Sequence, residues 1–173
     1  SSIDALNANF DYLEDVDSSL TISDVLALNN SQWRHEEGGG AKFGFSRSSY
    51  WFKLTFTNQL DEVAKTLLEI GKPTLNDVAF YQVVDGHVVR SLHTGDQRPF
   101  YTRDVDHPNY LFRVTQRIGE TSTVYFRVKT QGSSVFPIKL WQEKAFFEFS
   151  AQEQKVHFLY FGHIFRKTCR KKK

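Results

Sequence analysis

At 173 residues, with 40% hydrophobic and 24% charged residues, the chain has enough apolar mass for one globular core. Its net charge is +2, and six of its 22 Lys and Arg lie between Arg166 and Lys173, leaving the rest slightly acidic. That distribution excludes the concentrated basic face that nucleic-acid binding requires. A single cysteine, Cys169, excludes a disulfide framework and a cysteine-based metal site. The sequence begins Ser1-Ser2 and contains no Met, so it reads as a processed or excised piece.

Aromatic residues make up 15% of the chain and recur with Val and Thr in short alternating runs, which favours strands over helices. Phe10 to Asp15 alternates apolar and polar residues and is predicted as an edge strand. Thr21-Ile22-Ser23-Asp24 opens the run Val25-Leu26-Ala27-Leu28, a short helix with Thr21 or Ser23 as its cap. Between Asn29 and Ser49, Gly38-Gly39-Gly40 and several charges predict a mobile surface loop. The clearest strand follows, Ser49 to Asn58. Tyr50, Phe52, Leu54 and Phe56 point to one face, and Trp51, Lys53, Thr55 and Thr57 to the other.

Further strands are predicted at Thr66 to Ile70, Val78 to Val84, His87 to Leu92, Tyr110 to Gln116, Thr123 to Thr130 and Phe136 to Trp141. Asp85-Gly86 between two of these runs signals a tight hairpin, because a type I′ turn needs positive φ at both central positions. Some eight strands with one or two short helical pieces predict an all-β jelly-roll β-sandwich. From Glu143 onward a helical period replaces the alternation, and Val156 to Phe165 is nearly all apolar. That run is about ten residues, half of the roughly twenty that a membrane helix needs. It reads either as the stub of a spanning helix or as an amphipathic helix closing one end of the sandwich. The division expected is a sandwich domain over residues 1–150 and a C-terminal stub with a basic tail over 151–173.

One pattern of elements resembles a known family. Leu13-Glu14-Asp15, Leu20 to Val25, Tyr50-Trp51-Phe52-Lys53-Leu54, Asn58, Leu67 to Ile70, Pro73, Val78, Tyr81, Asp85-Gly86, Thr94-Gly95-Asp96, Tyr125-Phe126-Arg127-Val128 and Gly132-Ser133 occur in the order seen there. The chain resembles the extracellular sensor domain, type 2, of bacterial seven-transmembrane receptors with diverse intracellular signalling modules. The resemblance implies a jelly roll similar to carbohydrate-binding modules, on the periplasmic side of the bacterial inner membrane. It also implies membrane attachment through helices that follow, and a histidine kinase or diguanylate cyclase output. The ligand implied is a small polar molecule such as a saccharide. The family usually has Arg where this chain has Lys53, which offers a point charge in place of a planar fork.

The candidate ligand-binding residues are Trp51 and Lys53 on one strand and Tyr125 and Arg127 on another, with Glu69, Tyr81 and Arg113 joining from neighbouring strands. Aromatic faces suit the C–H patches of sugars and charged groups suit their hydroxyls. The alternative is a cross-strand ladder that only steadies the sheet. Calcium is a second candidate, with Asp15 and Asp17, Asp61 and Glu62, and Asp104 and Asp106 as acidic pairs, none at the spacing of a known calcium loop. No other cofactor is indicated. A protein-interaction or homodimer module using the same outer face is the competing reading.

Enzyme motifs are incomplete. Gly44 to Ser48 lacks the second glycine of a nucleophile elbow, and Gly38 to Lys42 lacks the ending of a phosphate loop. The six histidines form no metal pair, and nothing singles out two carboxylates for glycoside hydrolysis. The domain itself is therefore expected to be non-catalytic.

Overall fold

The computed structural model describes residues 5–7, 9–37, 40–43, 47–71, 74–129 and 134–154. The strands are β1 (Ala5–Asn7), β2 (Phe10–Asp15), β3 (Arg34–Glu36), β4 (Gly40–Phe43), β5 (Ser49–Thr57), β6 (Ala64–Ile70), β7 (Asp77–Val84), β8 (His87–Thr94), β9 (Tyr110–Gln116), β10 (Thr121–Lys129) and β11 (Ser134–Gln142). Two α-helices accompany them, α1 (Ile22–Leu26) and α2 over residues 143–154. All strand pairs are antiparallel. They form a six-stranded sheet in the order β3-β2-β5-β10-β7-β8 and a five-stranded sheet in the order β1-β11-β6-β9, with β4 also on β11.

The predicted alternation of β5 sets the layering. Tyr50, Phe52 and Leu54 are buried in the main core with Val124, Phe126 and Val128 of β10 and Val78 and Phe80 of β7. The five-stranded sheet supplies Leu68, Ile70, Phe112, Val114 and Ile138 to the same core. Phe80 and Phe112 stack across the two layers, 4.7 Å apart and 2° from parallel, so the sheets meet face to face. Burying each such ring contributes roughly 1.5–3 kcal/mol, which fixes the register of every strand that carries one.

The β7–β8 hairpin turns at Asp85 and Gly86 with φ of 49° and 76°, the mirror-image turn that Asp-Gly predicts. Gly95, at φ 141°, lies so close to the Asn76 carbonyl oxygen that a Cβ would collide with backbone. Asn58, 4% exposed, joins the β5–β6 and β9–β10 loops: its Nδ2 reaches the Glu62, Gln116 and Arg117 carbonyls, and its Oδ1 accepts from Leu60 N–H.

Four expectations change. The stretch from Asn29 to Ser49 holds two short strands, β3 paired with β2 and β4 paired with β11, where a loop was predicted. With β3 on its outer side, β2 is not an edge strand. Eleven strands are described where eight were expected, the extra ones being too short and polar to alternate visibly. And α2 covers the outer face of the five-stranded sheet, burying Phe146 with Leu67, Val105, Leu111 and Trp141 in a second cluster. The apolar run after Val156 and the basic tail lie outside the described residues.

Candidate functional site

The outer face of the six-stranded sheet carries two rows of side chains. Antiparallel register places Asp11, Lys53, Tyr125, Tyr81 and Ser91 side by side across β2, β5, β10, β7 and β8. The next row is Leu13, Trp51, Arg127, Ala79 and His93. Directly opposed residues on one face have Cβ atoms about 4.5–5.5 Å apart, so each row is a line of side-chain neighbours. Between the rows, the Trp51 and Tyr81 rings stack at 6.0 Å with 22° between planes, and the Tyr81 hydroxyl lies 3.4 Å from His93 Nε2.

Lys53 is the hub. Its Nζ is 3.2 Å from Asp11 Oδ2, donates to Asn30 Oδ1 at 3.2 Å, and sits 4.7 Å from the centre of the Trp33 ring. Trp33 in turn lies 6.0 Å from Tyr125. Asp11 also meets His35 Nδ1 at 2.8 Å. Burial opposes ionisation of Asp11, yet the hydrogen bonds from His35 and Lys53 outweigh it and hold the carboxyl below its ordinary value. Burial raises the Tyr81 and Tyr125 phenols, so both stay protonated donors at neutral pH.

Arg127 donates from Nη2 to Asp77 Oδ2 at 3.1 Å, and the other Asp77 oxygen accepts from Arg98 Nε at 2.9 Å. Two guanidinium groups thus share one carboxylate.

A strap formed by residues 16–33 crosses this face between β2 and β3. The Asp15 carboxylate starts it by accepting from Ser19 and Leu20 N–H, and the Thr21–Asp24 capping box fixes α1. The strap grips β5 at two positions on the same face: Ser18 Oγ accepts from Ser49 Oγ at 2.8 Å, and Asn30 and Trp33 engage Lys53. Trp51 lies between those grips and is 1% exposed.

Five of the seven candidate residues, Trp51, Lys53, Tyr81, Tyr125 and Arg127, therefore occupy this one face. Glu69 and Arg113 do not join them, because β6 and β9 belong to the other sheet and both side chains leave its outer face. Glu69 accepts from Trp141 Nε1 at 2.6 Å and Asn109 Nδ2 at 2.7 Å, while Arg113 donates to Glu143 at 2.8 Å and to the Asp104 carbonyl at 2.7 Å. Both fasten the 96–109 loop to the sheet, and Arg113 also holds α2 through Glu143. Trp51 is also not an open platform, since it is 1% exposed and its ring stacks on Tyr81. Sequence reasoning missed Trp33, Asp11 and Asn30. A tryptophan in an otherwise polar stretch was the available signal for Trp33.

Among the described residues, no group of three or more His, Cys, Asp or Glu side chains is placed to hold a metal ion. Asp15 is committed to the strap, and Asp104 is paired with Arg90 at 2.7 Å and Arg113 at 3.8 Å.

This architecture is an antiparallel β-sandwich with an aromatic and ionic outer face. The 7TMR-DISM extracellular 2 family matches residues 7–142, and the chain belongs to it. It is the extracellular sensor domain of seven-transmembrane receptors, which places it on the periplasmic or extracellular side of the membrane. No curated protein sequence matches the chain. Similar solved structures include a family GH115 4-O-methyl-α-glucuronidase, BtGH115A, with specificity for decorated arabinogalactans, at 11% identity and TM-score 0.38. That alignment covers 82% of this chain and 18% of the enzyme, so the chain spans less than a fifth of it. TmCBM61 in complex with β-1,4-galactotriose aligns at 10% identity over 78% of this chain and 88% of that one, TM-score 0.37. A family 35 carbohydrate-binding module from Clostridium thermocellum aligns at 7% identity over 79% and 90%, TM-score 0.34. No helix among the described residues is long and apolar enough to cross a membrane.

Proposed function

We propose that the domain is a non-catalytic sensor that binds a small polar ligand, best matched by a saccharide, on the outer face of the six-stranded sheet. The observation that carries this reading is the grouping of Trp33 and Tyr125, both half-buried and 6.0 Å apart, around Lys53, Asp11 and Asn30. Aromatic rings complement the C–H faces of a sugar, and an ammonium, a carboxylate and an amide within reach complement its hydroxyls. In the receptor, occupancy of this face would be relayed to the membrane segments and a kinase or cyclase output.

A thermal-shift screen of saccharides, amino acids and divalent ions tests the proposal. At least one saccharide should raise the melting temperature of the parent protein and fail to raise that of Trp33→Ala. Stabilisation only by amino acids or ions, or an unchanged saccharide response in the variant, would remove the site. A second reading has its own support: Val63 and Phe147, 53% and 42% exposed, border a groove of about 800 Å³ between β6 and α2. An exposed apolar surface of this kind favours contact with another chain, such as a second copy. Sedimentation of Phe147→Ser checks it: if the parent self-associates and the variant does not, the groove is the contact.

A further inference from the structure

Buried N–H groups in folded proteins are nearly always paired, and the exceptions call for a reason. Among the described residues, two buried side-chain donors have no partner, Trp51 Nε1 and Arg127 Nε. They are not scattered. Trp51 and Arg127 are register partners on β5 and β10, and both side chains leave the outer face of the six-stranded sheet. Trp141 shows the ordinary arrangement by contrast, its Nε1 donating to Glu69.

We infer that Trp51 and Arg127 form a carboxylate-recognising subsite, so that the ligand of this face is an acidic saccharide, a sugar bearing a uronate-type carboxylate. This rests on the saccharide reading given above and specifies its chemistry. Both unpaired groups are donors, and one belongs to a cation, so the complementary group is an acceptor that carries negative charge. The carboxylate has two oxygens for the two N–H groups, which belong to directly opposed residues. The surrounding charge agrees: Asp77 is shared between Arg127 and Arg98, and Lys129 in the next row is matched by Asp15, which leaves one positive charge in excess. A neutral sugar would leave that excess unused.

Access requires the strap to lift. Trp51 is flanked on its face of β5 by Ser49 and Lys53, the two residues that the strap holds. Releasing the Ser18–Ser49 bond frees the strap at its end beside Trp51, while the Asn30 and Trp33 contacts to Lys53 stay in place. The aromatic pair of Trp33 and Tyr125 then meets the body of the sugar while its carboxylate reaches Trp51 and Arg127.

The test uses the whole chain, labelled with nitrogen-15, and reads the three tryptophan indole resonances, assigned with Trp33→Phe, Trp51→Phe and Trp141→Phe. Galacturonate, glucuronate and mannuronate are titrated against galactose, glucose and mannose at matched ionic strength. Each pair differs only in a carboxylate against a hydroxymethyl group. At least one uronate should bind about tenfold tighter than its neutral counterpart, the factor expected from one added charge-assisted hydrogen bond. It should also move the Trp51 indole resonance. Arg127→Lys keeps a cation beside Asp77 but lacks the Nε donor, and should lose the preference. Ser18→Cys with Ser49→Cys, in a Cys169→Ser background, should bind no uronate when oxidised and regain binding when reduced. Equal affinity for both members of every pair, or a bound uronate that leaves the Trp51 resonance in place, would overturn the subsite while leaving the saccharide reading intact. No response to any of the six sugars would count against the subsite, and failure of the wider saccharide screen as well would remove both.

Discussion

Glu69 offers the sharpest separation of a supporting residue from a ligand-binding one. Its carboxylate, 8% exposed, accepts from Trp141 Nε1 at 2.6 Å and from Asn109 Nδ2 at 2.7 Å. Each hydrogen bond to a charged acceptor contributes about 1.5–3 kcal/mol. Glu69→Ala removes both and strands the Trp141 indole N–H inside the cluster with Leu67, Leu111 and Phe146. Removing the carboxylate also relieves its own cost of burial, so the net loss is about 3–5 kcal/mol. For a chain of this size each kcal/mol lowers the melting temperature by about 2–4 °C, giving a fall of about 6–20 °C. Glu69→Gln retains one acceptor and should lose about half as much. Urea unfolding followed by tryptophan fluorescence measures the change. The saccharide response should survive in both variants wherever they remain folded, because Glu69 leaves the opposite sheet. A loss under about 1 kcal/mol in Glu69→Ala, or a lost ligand response with stability intact, would refute this assignment.

Three other outcomes follow from the same geometry. Phe126→Ala, which empties a fully buried position stacked at 4.7 Å on Phe52, should cost about 3–5 kcal/mol in urea unfolding, and a cost near zero would contradict the described core. Gly95→Ala should lower the melting temperature by several degrees, because φ 141° and the Asn76 carbonyl both exclude a Cβ; an unchanged value in calorimetry would contradict the turn. Asp11 has a depressed carboxyl pKa when folded, so its stabilising contribution is complete above the ordinary value of 3.8 and disappears as pH falls through the lower folded value. In acid titrations from pH 6 to pH 2, the parent should therefore lose more stability than Asp11→Asn, and parallel curves would contradict the Lys53 and His35 contacts.

Strand positions were legible where one face is core and the other is not. β10 alternates over its nine residues and β5 from Phe52 to Thr57, so their inward residues, their outward residues and the Asp85-Gly86 turn could all be read from the sequence. β6 was harder. Its burial runs unbroken from Leu67 to Ile70 because α2 covers its outer face, so its sequence gives no sign of which side faces what. The partition of strands between two sheets is likewise set by long-range pairing and leaves no periodic mark, which is why Glu69 and Arg113 were grouped with residues they cannot reach. The strap was the largest omission. α1 has five residues, and the bonds that hold the segment across the sheet join Ser18 to Ser49 and Asn30 to Lys53, contacts between positions more than twenty residues apart. Local propensity carries no record of them. Trp51 was consequently read as an outward-facing ligand contact without sign of its burial.

Binding to an array of immobilised glycans, compared between the parent protein and Trp33→Ala with Tyr125→Ala, tests the central claim most directly. The account predicts at least one glycan retained by the parent and weakened about tenfold or more in the double variant, which should stay folded by circular dichroism while the loss of two half-buried rings lowers its melting temperature by several degrees. Equal retention by both proteins, or no retained glycan at all, would contradict it.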